Sequence, residues 1–231
     1  MESAAAATAT PPGTRAPLHQ PAPDATARRI LEAGMRAFAR EGYAGATTRM
    51  IAAAAGVTLP VIAYHYGNKE GLHRACAEAI VGSYREHMLP LVLGARRAAD
   101  TQSLSSSAAA VLLGQLLDAL VSAIAADPEQ RLGTDFVLRE MTEQGPGFSL
   151  LYQELWQPGI LLVADLLAIA RGHQSAGEQE RTGALMLLAS LTAFTTQAPI
   201  SLPVMGWQDL GESHRSNIAA LARQLLAGLI A

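Results

Sequence analysis

The run Thr58-Leu59-Pro60-Val61-Ile62-Ala63-Tyr64-His65-Tyr66-Gly67-Asn68-Lys69 gathers side chains suited to one kind of chemistry. Hydroxyls at Thr58 and Tyr64, an imidazole at His65 and a cation at Lys69 suit phosphate oxygens and the base edges of a DNA major groove. Just upstream, Thr48 and Arg49 add a hydroxyl and a guanidinium for phosphates. Nothing comparable points to catalysis. There is no Gly-x-Ser-x-Gly elbow, no phosphate-binding glycine loop and no His-Glu-x-x-His, so no enzyme is expected.

The elements that would position these groups are two short helices around a tight turn. Thr47 is placed to cap the first, whose apolar face is Ile51, Ala52 and Ala55. Gly56 ends it, because glycine enters the left-handed conformation without a Cβ penalty. Thr58 then caps the second helix, Pro60 falls in its first turn, and Val57 and Ile62 are spaced as a hydrophobic staple. The result is a helix-turn-helix. The same pattern fits a helical hairpin inside a core. What favours DNA is the outward set left once Val57, Ile62 and Tyr66 turn inward: Thr58, Leu59, Pro60, Val61, Ala63, Tyr64 and His65.

Residues 27–71 resemble the DNA-binding domain of the TetR family of bacterial repressors. The resemblance is carried by Ile30-Leu31, Ala37-Phe38, Glu41-Gly42-Tyr43, Thr47-Thr48-Arg49, Ile51-Ala52 and Ala55-Gly56-Val57, then by Tyr64 through Leu72. It implies that Thr48, Arg49 and Lys69 hold phosphates, that Thr58, Leu59, Pro60, Val61 and Tyr64 face the major groove, and that His65 touches the backbone. Ala63 departs from the pattern, since the family usually carries an aromatic there.

Composition agrees. Residues 24–90 hold eight Lys and Arg against six Asp and Glu, a net +2, whereas residues 91–231 hold eight against thirteen, a net −5. The basic excess lies on the DNA-reading part, but it is small, so affinity should need two copies and depend strongly on salt. The lone cysteine, Cys76, excludes an intrachain disulfide. His73 and Cys76 share a helix face, but no third ligand stands near, so neither metal nor cofactor is expected.

Residues 1–23, rich in Ala, Thr and Pro, lack a signal-peptide pattern and read as a disordered tail. A first helix is expected over 24–42 with Ile30, Gly34, Ala37 and Phe38 inward. A fourth is capped by Asn68 and runs to about 88. Further helices are expected over 108–126, from an Asp127-Pro128 cap to 144, over 148–171 with a kink at Pro158-Gly159, over 177–198 and over 210–230. No alternating strand pattern appears. The fold class is therefore all-α: a helix-turn-helix domain over 24–71 and a helical domain for ligand binding and dimerisation over 72–231. Residues 183–208 carry no charge, but their threonines and prolines favour a buried interface helix over a membrane span.

The C-terminal half resembles the CecR-type branch of the family, through Leu138-Arg139-Glu140-Met141-Thr142-Glu143, Gly145-Pro146-Gly147-Phe148 and Trp156-Gln157-Pro158. That resemblance implies control of drug-sensitivity or transport genes. The family resemblance as a whole implies a cytoplasmic homodimer, paired through its last two long helices, that leaves a palindromic operator on double-stranded DNA when a small-molecule effector binds. Residues suited to line such a lipophilic site are Phe136, Met141, Tyr152, Trp156, Phe194, Gln197 and Met205, with Trp207 beside them. A ligand-binding or scaffold protein that keeps the fold without specific DNA binding remains the alternative.

Overall fold

A computed structural model describes residues 25–87, 94, 104–124 and 131–231. Among them the secondary structure is helical, with no strand. The tail, Pro90, the serine-rich stretch before Leu104 and the Asp127-Pro128 cap lie outside the described residues.

Helix α1 spans Ala25–Gly45 and buries Ile30, Ala33, Gly34, Phe38 and Ala39. It runs past the expected end at Gly42, which bends it with φ 72° and ψ 175°. Helix α2, Thr48–Ala55, begins as expected: Thr47 Oγ1 accepts the Met50 N–H at 3.2 Å. It ends at Gly56, which is left-handed at φ 64°. Helix α3, Leu59–Tyr66, differs at its start, because Thr58 has the extended cap conformation but makes no side-chain cap bond. Its hydroxyl is not consumed by the helix. Helix α4, Lys69–His87, is capped by Asn68, whose Oδ1 accepts the Gly71 N–H at 2.8 Å. Gly71 is required there: a Cβ would collide with the Tyr66 carbonyl oxygen. Tyr66 also donates from its phenol to the Ala27 carbonyl at 2.7 Å, tying the end of α3 to the start of α1.

The C-terminal half is built around α8, Gln157–Ala170, which buries seven residues from Leu162 to Ala170. Helices α5 (Ser106–Ile124), α9 (Glu178–Ser190) and α11 (Glu212–Ile230) surround it in one apolar core. Arg223 of α11 grips Asp118 of α5 with two hydrogen bonds, Nε at 3.1 Å and Nη2 at 2.5 Å. Two further helices, α6 (Leu132–Glu143) and the single turn α7 (Phe148–Leu151), lie against the N-terminal part.

Three expectations are corrected. The Pro158 kink is absorbed as a π-helical turn over Tyr152–Trp156, in which the Gln157 N–H reaches back to Tyr152 O. A proline cannot supply the hydrogen bond that an α-helical register would require of it, and the wider turn accommodates the loss. The single helix over 177–198 is instead α9, a 3₁₀ turn Leu191–Phe194, and α10, Ala198–Met205, bent from α9 by 70°. The cause is hydroxyl competition: Ser190, Thr192, Thr195 and Thr196 all donate to nearby helical carbonyls. The last helix starts at Glu212, two residues later than expected. By length and composition one helix, Ser106–Ala123, could cross a membrane, but Leu113, Leu116, Leu117 and Val121 of its inner face belong to the α8 core.

Two measurements check this packing. Replacing Thr47 by Ala should lower unfolding free energy by about 1 kcal/mol, the usual cost of losing an N-cap; a denaturant melt reads it. Burial pushes the Cys76 thiol up to about 12. At pH 8 a thiol reagent should therefore leave the native protein unlabelled and react only after denaturation.

Candidate nucleic-acid interface

Helices α2 and α3 present one surface. Tyr64 is 84% exposed and Leu59 43%, and Thr58, Pro60, Ala63 and Arg49 are also exposed. Thr48 and His65 are half-buried at its margin. An aromatic ring so exposed gains nothing from the fold that carries it, and a contact surface accounts for its position. His65 lies edge-on to Tyr64 at 5.0 Å, which limits the tyrosine's freedom. Val61 is half-buried, like Thr48 and His65, and packs against the N-terminal core with Val57 and Tyr66. Lys69 extends over the face of Tyr43 with Nζ 4.6 Å from the ring centroid. This cation–π contact holds the ammonium at the foot of α3.

The inner side of the same helices fixes how this surface sits. Ile30, Phe38, Ile51 and Ile62 share one core with Leu72, Cys76 and Ala77 of α4. Phe136 of α6 and Leu151 of α7 belong to that same core. The N-terminal packing therefore continues across residue 71 into the C-terminal half. Arg139 of α6 adds directional contacts: Nε donates to Ala39 O at 3.1 Å and Nη2 to Arg40 O at 2.8 Å. Those carbonyls precede the Gly42 bend of α1, where a cation is favoured. Arg139 was legible only as part of the Leu138–Glu143 motif, because its partners lie about a hundred positions away on α1.

The residues selected for an effector site do not converge on one cavity. Phe136 is 1% exposed within the N-terminal core. Met141, 46% exposed, and Tyr152, 44% exposed, lie on the outside of α6 and of the π turn. Trp156 is half-buried and contacts Phe148 at 5.3 Å, while Phe148 stacks on Tyr152 at 6.2 Å. Phe194 belongs to the other core, where it stacks on Trp207 at 5.8 Å. Gln197 and Met205 flank α10 and are exposed. The set divides into an aromatic ridge along α4 and a group at α10. Between α8, α9 and α11 the structure shows a recess of about 130 Å³ lined by Leu167, Arg171, Glu180, Gly183 and Leu229, which sequence reasoning did not identify. Glu180 is buried there, and its carboxylate is held below its ordinary range by the Gly177 N–H, then by its own backbone and by His173.

Known proteins share these features. The family of bacterial regulatory proteins named for TetR matches residues 30–76, and the C-terminal domain of the HTH-type transcriptional dual regulator CecR matches residues 109–231. The chain is 24% identical over 185 residues to CecR of Shigella flexneri, covering 80% of this chain and 82% of that protein. It is 43% identical over 57 residues to the HTH-type transcriptional regulatory protein RaaS of Mycobacterium tuberculosis, spanning 25% of this chain and only 26% of that relative. In fold it is similar to the multidrug binding protein EbrR complexed with malachite green, with a TM-score of 0.55 and 22% identity over 90% of this chain and 99% of that one. The family matches identify a DNA-binding transcriptional regulator rather than an enzyme. With a helix-turn-helix in α2 and α3 and a family match over residues 109–231 of its C-terminal half, the chain belongs to the TetR family of bacterial regulators, in its CecR-type branch.

Proposed function

We propose that the protein is a homodimeric repressor that leaves a palindromic operator when a small lipophilic molecule binds its C-terminal domain, and that it controls drug-efflux or membrane-transport genes in the cytoplasm. In this reading residues 24–71 form the reading head and residues 72–231 the ligand-binding and dimerisation domain. The observation that carries it is the exposed Tyr64 on a helix whose other face is locked into a core.

Thr48, Arg49 and Lys69 grip phosphates. Thr58, Leu59, Pro60 and Tyr64 read the major groove, and His65 contacts the backbone. Val61 supports this surface from beneath. Two heads are supplied by pairing α9 and α11 with their copies. Leu185, Met186, Leu221 and Leu225 are all more than half exposed on these two helices and form the apolar face that such pairing would cover. For the effector, the better-supported part of the selected residues is the pair Tyr152 and Trp156, against which Phe148, not itself selected, packs. The pair lies on a π turn that Arg85 of α4 reaches with an ion pair to Glu154 at 2.5 Å, so a ligand there would press on the helix that carries the head. EbrR, whose complex with malachite green shares this fold, supports an aromatic lipophilic ligand.

Footprinting on a bound fragment tests the dimer: two symmetric protected half-sites are expected, and a single unsymmetrical one contradicts it. Tyr64→Ala should weaken specific binding by about 1–3 kcal/mol while leaving the thermal melt unchanged. Lys69→Met should weaken all duplexes alike and reduce the salt slope by about 1. Leu221→Arg should yield a monomer in light scattering that has lost operator binding.

A further inference from the structure

Three buried polar or charged side chains occur among the described residues: His73, Glu140 and Glu180. Glu180 is satisfied by Gly177, Arg171 and His173 within its own bundle. His73 and Glu140 are different. They come from α4 and α6, two helices of the C-terminal half that both pack against the reading head, and are 1% and 2% exposed. His73 Nε2 lies 3.1 Å from Glu140 Oε1. Among the described residues His73 Nδ1 and Glu140 Oε2 have no hydrogen-bond partner. The imidazole is enclosed by Phe38, Tyr43 and Phe136, with ring centroids at 4.6, 5.0 and 4.8 Å.

Burying such a pair half-satisfied costs stability, and a well-packed apolar pair of the same volume is often more stable. What a polar pair supplies in return is direction. A hydrophobic contact tolerates sliding, whereas the Nε2–Oε1 contact exists at one register of α6 against α4. The neighbouring bonds have the same property: Arg139 reaches Ala39 O and Arg40 O only at that register. The turn after α6 enforces it further. A Cβ on Gly145 would collide with Glu140 Oε1, and one on Gly147 would press on Glu140 Oε2 at 3.1 Å and on His73 Cε1 at 3.4 Å. Gln144, immediately before, is in the left-handed region at φ 50°, the one non-glycine residue found there among those described. The backbone is thus held in a costly conformation where it wraps the pair. From His73 the contacts continue outward through Tyr43 to Lys69 at the foot of the reading helix.

We propose that His73 and Glu140 are positioning residues for DNA recognition: their buried contact fixes the register of α6 against α4, the helix that follows directly from the reading head, and so sets the orientation in which each head is presented. The inference rests on the reading of the protein as a two-headed regulator. Neither side chain touches DNA. Breaking the bond leaves the head folded but lets it settle at other orientations, so the pair of heads no longer matches one half-site spacing. An effector acting on α6 would have this bond as the contact to break.

The experiment uses the full-length protein and the duplex that the wild type selects from fragmented genomic DNA. His73→Leu with Glu140→Leu makes the pair apolar. This variant should melt at or above the wild-type temperature, yet bind the selected duplex at least about tenfold more weakly and accept spacers one base longer or shorter, in line with the size of coupling between linked sites. Gly145→Ala, whose Cβ displaces the Glu140 carboxylate, should act in the same direction, while Gly133→Ala, whose Cβ would meet only Ile80 Cγ1 at an ordinary 3.9 Å, should not. Glu140→Gln keeps an oxygen for His73 and should retain tight binding and the spacing preference. A folded, dimeric double-leucine or Gly145→Ala protein with wild-type affinity and spacing overturns the proposal. So does affinity that falls only in proportion to lost fold, which would make the pair merely structural. Failure of the wild type itself to select any duplex would instead overturn the regulator reading.

Discussion

Phe136 and Leu151, carried by α6 and α7, complete a core whose other members come from α1 to α4. The three helices of the reading head span residues 25–66 and contribute only a few large side chains, Ile30, Phe38, Ile51 and Ile62, to it. Domains of that size bury too little surface to be stable alone without help. Leu72, Cys76 and Ala77 of α4 supply part of what is missing, and the C-terminal half supplies the rest. A head stabilised in this way cannot be oriented independently of the body that completes it. Phe136 and Leu151 of α6 and α7 thus share one core with Ile62 of α3.

The second constraint is polar. Around the head, the directional bonds are few and are placed at element ends: Thr47 at the start of α2, Asn68 at the start of α4, Tyr66 to Ala27, Arg139 to the carbonyls before the Gly42 bend. Thr47 and Asn68 close the first turns of their own helices, Tyr66 and Arg139 tie one element to another, and the apolar core between them supplies most of the burial. The C-terminal bundle follows the other pattern, with one long apolar core and an Arg223–Asp118 clasp on its outside.

Much of the head was legible in the amino-acid sequence because its information is local. Caps, a left-handed glycine and helical spacing are properties of four or five successive residues, and Thr47, Gly56 and Asn68 behave accordingly. Thr58 shows the limit: its backbone adopts the cap conformation but its hydroxyl does not close the cap. Val61 was read as outward, since a short helix with little amphipathic contrast does not declare its faces. The C-terminal half was legible as helices but not in their breaks. A proline at 158 signals a kink, yet whether it is met by a bend or a π turn depends on packing. The split of α9 from α10 comes from several hydroxyls bonding back to the chain, a competition that helical spacing does not reveal. The effector residues were the least legible, because Met and aromatic side chains mark cores and cavities alike. Phe136 proved to be core, and the His73–Glu140 pair, separated by 67 positions, had no local signature at all.

The central claim is that this fold reads a specific duplex with two heads. The most direct measurement is selection of bound fragments from genomic DNA with the purified full-length protein, followed by sequencing. The account predicts enrichment of a palindrome with two half-sites at one fixed spacing. Recovery of fragments no different from the input library, with a protein shown to be folded and dimeric, would contradict it.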